Sequence, residues 1–213
     1  MLVAVRSSRR HLQSAAVLWI VAAVIFVVFE ALAATAVQPS YSYANGYISD
    51  LGVPAWSPRA GLMNSAFWVQ GLGFAAGAVL IAKACGGGLL FGPLAVATAA
   101  GNILVAVAHG GSALVESGYA WLHVVGALLA IVGGNAAILA GSSVAAKTIA
   151  VRGYRVLSVA IAILGFACLA MLSTWTAGSD VGPGVVERGS VYSILLWQAL
   201  TGLLLLARPQ RSG

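Results

Sequence analysis

The 213-residue chain is 61% hydrophobic and 8% charged, with a formal net charge of +6. Soluble domains carry roughly 25% charged residues, so a water-facing surface cannot be built from this composition and lipid must cover most of it. The positive charge does not point to nucleic acid, because the basic residues stand in short gaps between apolar runs and not on one folded face.

A membrane-crossing helix needs about 20 apolar residues, and six stretches of that kind follow one another. The first, 14–37, is preceded by Ser8-Arg9-Arg10-His11-Leu12-Gln13, which faintly resembles a twin-arginine signal, and it contains Ala31-Leu32-Ala33, which imitates a cleavage site. Its apolar run of about 23 residues far exceeds the h-region of a signal peptide, so it reads as a retained span. Glu30 lies inside it, roughly 10 Å below its outer end at the rise of an α-helix.

A long loop, 38–60, follows and is unusually aromatic, with Tyr41, Tyr43 and Tyr47 ahead of Ser49-Asp50. That Ser-Asp pair suits either a helix N-cap or a carboxylate projecting into an outer cavity. The second span, 61–82, carries Asn64 and Trp68; the third, 92–109, is short, rich in Gly and Ala, and ends on His109. Glu116 stands in the next connection and His123 opens the fourth span, 120–141. The fifth is 154–176, and the sixth, 189–207, has Glu187 and Arg188 at its entrance and Tyr192 in its first turn. The expected fold is therefore an all-α membrane protein, a single domain over 1–213 built as a bundle of six transmembrane helices. Small residues at four-residue spacing, such as Gly73 with Gly77 and Ala97 with Gly101, suit close helix packing in lipid.

Orientation follows from the basic residues. With the N-terminus inside, Arg6, Arg9, Arg10, Lys83, Lys147, Arg152, Arg155, Arg208 and Arg211 are cytoplasmic, leaving only Arg59 and Arg188 outside. Nine against two places both termini in the cytoplasm. The expected location is a plasma membrane.

In that frame the polar chemistry gathers at the outer side. Asp50, Glu116, Asp180 and Glu187 sit there, as do His109 and His123, and eight of the twelve Trp and Tyr residues join them. Trp19 and Tyr154 mark the inner interface. A carboxylate in the hydrocarbon layer is costly unless paired, neutral or facing water. Glu30 is thus a functional candidate, a neutral hydrogen-bonded acid, or the partner of Arg188 in a structural pair. Glu30, Asp50, Glu116, His123 and Glu187 are the candidate acid–base groups, with Ser49, Asn64, Trp68, His109, Arg188 and Tyr192 as candidate ligand contacts. They are expected to converge on one outer pocket. No metal or other cofactor is expected: the histidines are badly spaced and no thiolate cluster exists. Cys85 and Cys168 differ too much in depth to pair.

Tyr-Ile-Ser-Asp-Leu-Gly at 47–52, Ser57-Pro58 followed by Met63 to Phe67, Gly71, Glu116, His123 with Gly126-Ala127, Gly133-Gly134-Asn135, and Gly184 through Glu187-Arg188 to Trp197 resemble the bacterial and archaeal family called domain of unknown function 998. The resemblance runs from about residue 17 to residue 207. It implies six spans and a polar set of Ser49, Asp50, Asn64, Glu116, His123, Asn135, Glu187 and Arg188. Glu30 and His109 fall outside that pattern. Asn135 lies deep in the fourth span and is expected to bond across helices.

Three functions fit these residues. The first is a lipid-binding, sensing or accessory protein whose pocket holds a lipid or isoprenoid molecule. The second is an enzyme hydrolysing a lipid or cyclising a prenyl chain by acid–base catalysis. The third, a small transporter or proton pathway, is weakened by inner helix halves that offer only Asn102 and Asn135 as strongly polar groups. Membrane lipids are the expected partners, nucleic acid is not, and the sequence leaves the oligomeric state open.

Overall fold

The computed structural model describes residues 2–175 and 179–207, with side chains from residue 8 onwards. Its elements are α1 (Leu2–Ala34), a 3-10 turn (Ser49–Gly52), α2 (Ala60–Cys85), α3 (Phe91–Val107), the single turn α4 (Ala113–Glu116), α5 (Trp121–Ala145), α6 (Tyr154–Ser173) and α7 (Pro183–Leu206). Five of these helices are long and apolar enough to cross a membrane, and α3, with 17 residues, is a shorter apolar helix. The chain is thus a helical, multi-pass membrane protein.

Helix ends follow local chemistry and correct several expected boundaries. No Gly or Pro interrupts residues 2–34, so α1 begins well before residue 14 and its basic residues are helical. Helix α2 stops at Gly86, whose φ of 60° suits the left-handed C-terminal position. Pro183 occupies the first turn of α7, where its missing N–H costs nothing. That helix therefore starts six residues before 189, and Glu187 and Arg188 lie in its second turn instead of opening it. Helix α3 ends at Val107, so His109 lies beyond it.

Each long helix packs on its chain neighbour, α3 packs on α5 across the α4 connection, and α7 returns to close the ring against α1. Helix α6 is the least enclosed of the five long helices, with 22% of its apolar window buried, and packs mainly on α5 and α7. The closest approach is between α3 and α5. A methyl group at Gly101 would collide with the α5 backbone at Gly126 and Ala130, and one at Gly126 with Val105. Only glycine lets two backbones meet that closely.

The half of the bundle expected to face the cytoplasm is a dry aromatic core. Trp19 stacks on Phe74 at 5.6 Å and meets Trp197 at 5.2 Å, with Phe91 completing the cluster. The two indole N–H groups donate to the Phe74 carbonyl and to Ser158 Oγ, each at 3.0 Å. Trp19 and Tyr154, expected as interfacial markers, are instead buried, at 0% and 3% exposure. Tyr154 shares a 2.8 Å hydrogen bond with Thr201. The core gains more from these rings than an interface would, because each polar edge finds a partner inside.

Candidate functional site

Residues 41–52 form a strap across one end of the bundle, and Arg188 is what it is tied to. The Arg188 Nε donates to Glu30 Oε1 at 2.9 Å, and a terminal nitrogen sits at the same distance from that oxygen. The other terminal nitrogen donates to the carbonyls of Tyr43, Gly46 and Gly184 at 2.8, 2.9 and 3.0 Å. The Tyr41 hydroxyl receives a further N–H at 2.6 Å and itself donates to the Gly46 and Tyr47 carbonyls. The guanidinium also lies over the ring of Tyr43, 4.8 Å from its centre. All three nitrogens of the fork are thereby engaged.

Glu30 is equally committed: its second oxygen accepts from the Tyr192 hydroxyl at 2.8 Å, and the residue is 1% exposed. Of the three readings open for Glu30, the structural pair with Arg188 is the one observed. Burial pushes Tyr41 up to about 12, against the opposing pull of Arg188, so its hydroxyl keeps its proton and its role as donor.

Beside this lock, and separate from it, a partly enclosed cavity lies between the strap, α2, α3, α5 and α7. It comprises about 560 Å³ of atom-free space, its open mouth included. Its walls are mainly apolar, with Phe67, Val105, Val191 and Ile194 among them, and its polar groups are Ser49, Gln70, Thr98, Asn102, His123 and Glu187. Glu187 reaches it because the residue after it turns to Glu30, and one Glu187 oxygen accepts the Ile48 N–H. His123 Nδ1 lies 3.2 Å from the Ala108 carbonyl, which can only accept. The proton of the neutral ring is therefore assigned to Nδ1, leaving Nε2 as an acceptor.

The sequence candidates divide accordingly. Ser49, His123 and Glu187 line the cavity, and Glu30, Arg188 and Tyr192 form the lock. Asp50 turns back to accept the Tyr47 N–H at 3.0 Å, neither capping the turn that follows nor lining the cavity. Burial raises its pKa, while the Tyr47 N–H and the charges of His123 and Arg188 oppose that rise. Asn64 donates to the Gly52 carbonyl at 2.9 Å and pins the strap to α2. Glu116 is exposed on α4, His109 bonds at 2.9 Å to the carbonyl of Gly110, and Trp68 is 40% exposed on the outside of α2. These three do not line the cavity, so the single converging pocket expected of all the candidates resolves into a lock, a cavity and outlying residues.

Asn135 bonds across helices, as its depth suggested. It donates to the Ser190 carbonyl and accepts from Ser193, at 3.1 and 2.9 Å. Gln70, at the floor of the cavity, was not foreseen. Its amide donates to Gln198 at 2.6 Å, and Gln198 donates on to the Trp19 carbonyl at 2.8 Å. Both glutamines interrupt apolar runs, and that was the available signal; an uncharged amide draws less notice than a carboxylate, although burying it unpaired is also costly. Among the described residues no three His, Cys, Asp or Glu side chains are grouped to hold a metal ion.

A ring of apolar helices with an internal, polar-tipped cavity defines a multi-pass membrane protein. The chain matches a family model over residues 20–204 and belongs to that family, described as protein of unknown function (DUF998). No curated protein and no solved structure matches it.

Proposed function

We propose that the chain is a six-span protein of the bacterial plasma membrane, with both termini cytoplasmic, whose outward-facing cavity binds a single-chain lipid or isoprenoid molecule in an accessory or sensing role. Helix α3 joins the spans in this reading. Its 17 residues extend about 26 Å and it packs between α2 and α5 as a full member of the ring. The observation that carries the binding role is the cavity itself, with apolar walls along its length and Ser49, His123 and Glu187 near the strap. Ligand sites combine these features, a largely apolar lining with a few placed polar groups.

The test is extraction and mass spectrometry of molecules that co-purify with the wild type and with Val191→Trp, which fills the cavity. An amphiphile present in the first and absent from a stably folded second supports the reading. Identical extracts overturn it. A second reading, acid–base catalysis on the same molecule, is favoured by the presence of His123 and Glu187 on one cavity. Catalysis predicts that Glu187→Gln accumulates a chemically different molecule from the wild type, whereas a binding protein returns the same one from both.

A further inference from the structure

Resting on that binding reading, we infer that the cavity selects ligands whose polar end donates hydrogen bonds, a hydroxyl or an amine, and rejects phosphorylated ones. The inventory of unengaged atoms carries the inference. His123 presents Nε2 as an acceptor once Nδ1 has donated to Ala108. Asn102 spends one amide N–H on the Thr98 carbonyl at 2.9 Å, and its carbonyl oxygen remains as an acceptor. Glu187 uses one oxygen for the Ile48 N–H, and the other retains acceptor capacity in either protonation state. Thr98 donates to the Leu94 carbonyl, and Gln70 gives one of its two N–H groups to Gln198. The remaining neutral donors are the Ser49 hydroxyl and the second amide N–H of Asn102 and of Gln70, and none of them carries a charge.

The cations complete the argument. No Lys or Arg lines the cavity, and Arg188, beside Glu187 in sequence, is turned to Glu30, Tyr41 and the carbonyls of Tyr43, Gly46 and Gly184. A phosphate needs several strong donors or a positive charge, and here it would meet a carboxyl group, two further acceptors and no cation. An alcohol or an ammonium group finds partners at each of them.

The experiment places a single cysteine at Ala127, on the cavity wall, in a chain with Cys85 and Cys168 replaced by serine. A matching control has its cysteine at Val124, which is 60% exposed on the outer face of α5. Both are reconstituted in phosphatidylcholine nanodiscs and modified with a small methanethiosulfonate in the presence of decanol, decylamine or decyl phosphate. Decanol and decylamine should slow modification at position 127 and leave position 124 unchanged, while decyl phosphate should protect neither. Adding Glu187→Gln should weaken protection by decylamine by at least about tenfold, the loss of one charge-assisted hydrogen bond, and leave decanol less affected. Protection by decyl phosphate equal to or better than that by decanol overturns the headgroup selection and leaves the binding reading standing. Protection by none of the three overturns both.

Discussion

Arg188 has the most to lose of any side chain here. It is 7% exposed, and its partner Glu30 is 1% exposed, so replacing one member leaves the other charge buried without compensation. Removing one partner of a buried pair typically costs 3–5 kcal/mol. Arg188→Met should destabilise by about that amount. Glu30→Gln should be milder, because the amide oxygen still accepts from Arg188 while the Tyr192 hydroxyl can turn to accept the amide N–H, and the double variant Glu30→Gln/Arg188→Met should recover part of the loss. Thermal unfolding in detergent reads all three, and strictly additive effects would show that the two residues act independently. Asp50 offers a pH test. Its folded pKa is raised by burial above the ordinary carboxylate value of 3.8. The folded state thus binds the proton more tightly, so this contribution to stability is complete below the unfolded value and is lost as pH rises through the folded one. The wild type should lose melting temperature relative to Asp50→Asn across that interval. The opposite slope would mean that the Tyr47 N–H and the nearby charges outweigh burial. Glu30 was legible in the sequence as a residue needing a partner, since cost in lipid depends on residue type and depth alone. The pair with Arg188 was only one of three readings of Glu30, because helix rotation decides which side chains meet and apolar periodicity is weak in helices surrounded by lipid.

At the scale of elements, the strap is held by few points. Tyr41 accepts from Arg188 and donates to two carbonyls, and Asn64 ties the Gly52 carbonyl to α2. Tyr41→Phe removes the hydroxyl and leaves buried donors and acceptors short of a partner, at a cost of about 1–3 kcal/mol. Hydrogen exchange should accelerate at residues 45–48 while the α2 and α5 amides stay protected. Uniform acceleration would mean that the strap is part of the global fold and not a local unit. Helix existence was readable from apolar length, and all six expected stretches appear as helices. Their ends were not: Pro183 starts α7 early because it suits a first turn, and a run of good helix formers carries α1 into its basic tail. The cavity was invisible for a related reason. It is lined by residues of the strap, α2, α3, α5 and α7, and such a space depends on how six helices settle together.

For the whole molecule, the proposed orientation rests on the distribution of Lys and Arg, and a cysteine scan checks it directly. An impermeant thiol reagent should label Asp180→Cys from outside intact cells and leave Val151→Cys unlabelled until the cells are opened. The reverse pattern would turn the cavity towards the cytoplasm. Two different interiors meet along the bundle: buried aromatic rings pack one half, and the other half holds the cavity and the lock.

The lock has a consequence for how the protein is made. Glu30 and Arg188 are 158 residues apart, on the first and last long helices. At 5–20 residues per second, the ribosome delivers the arginine roughly 8–30 s after the glutamate. During biogenesis α1 must wait that long with a carboxyl group that has no counterion, either beside the insertion machinery or in lipid at a cost. The completion of α7 is then the event that lets α1 settle, and a nascent chain interrupted before Pro183 displays an uncompensated acid in its first helix as a mark that membrane quality control can read.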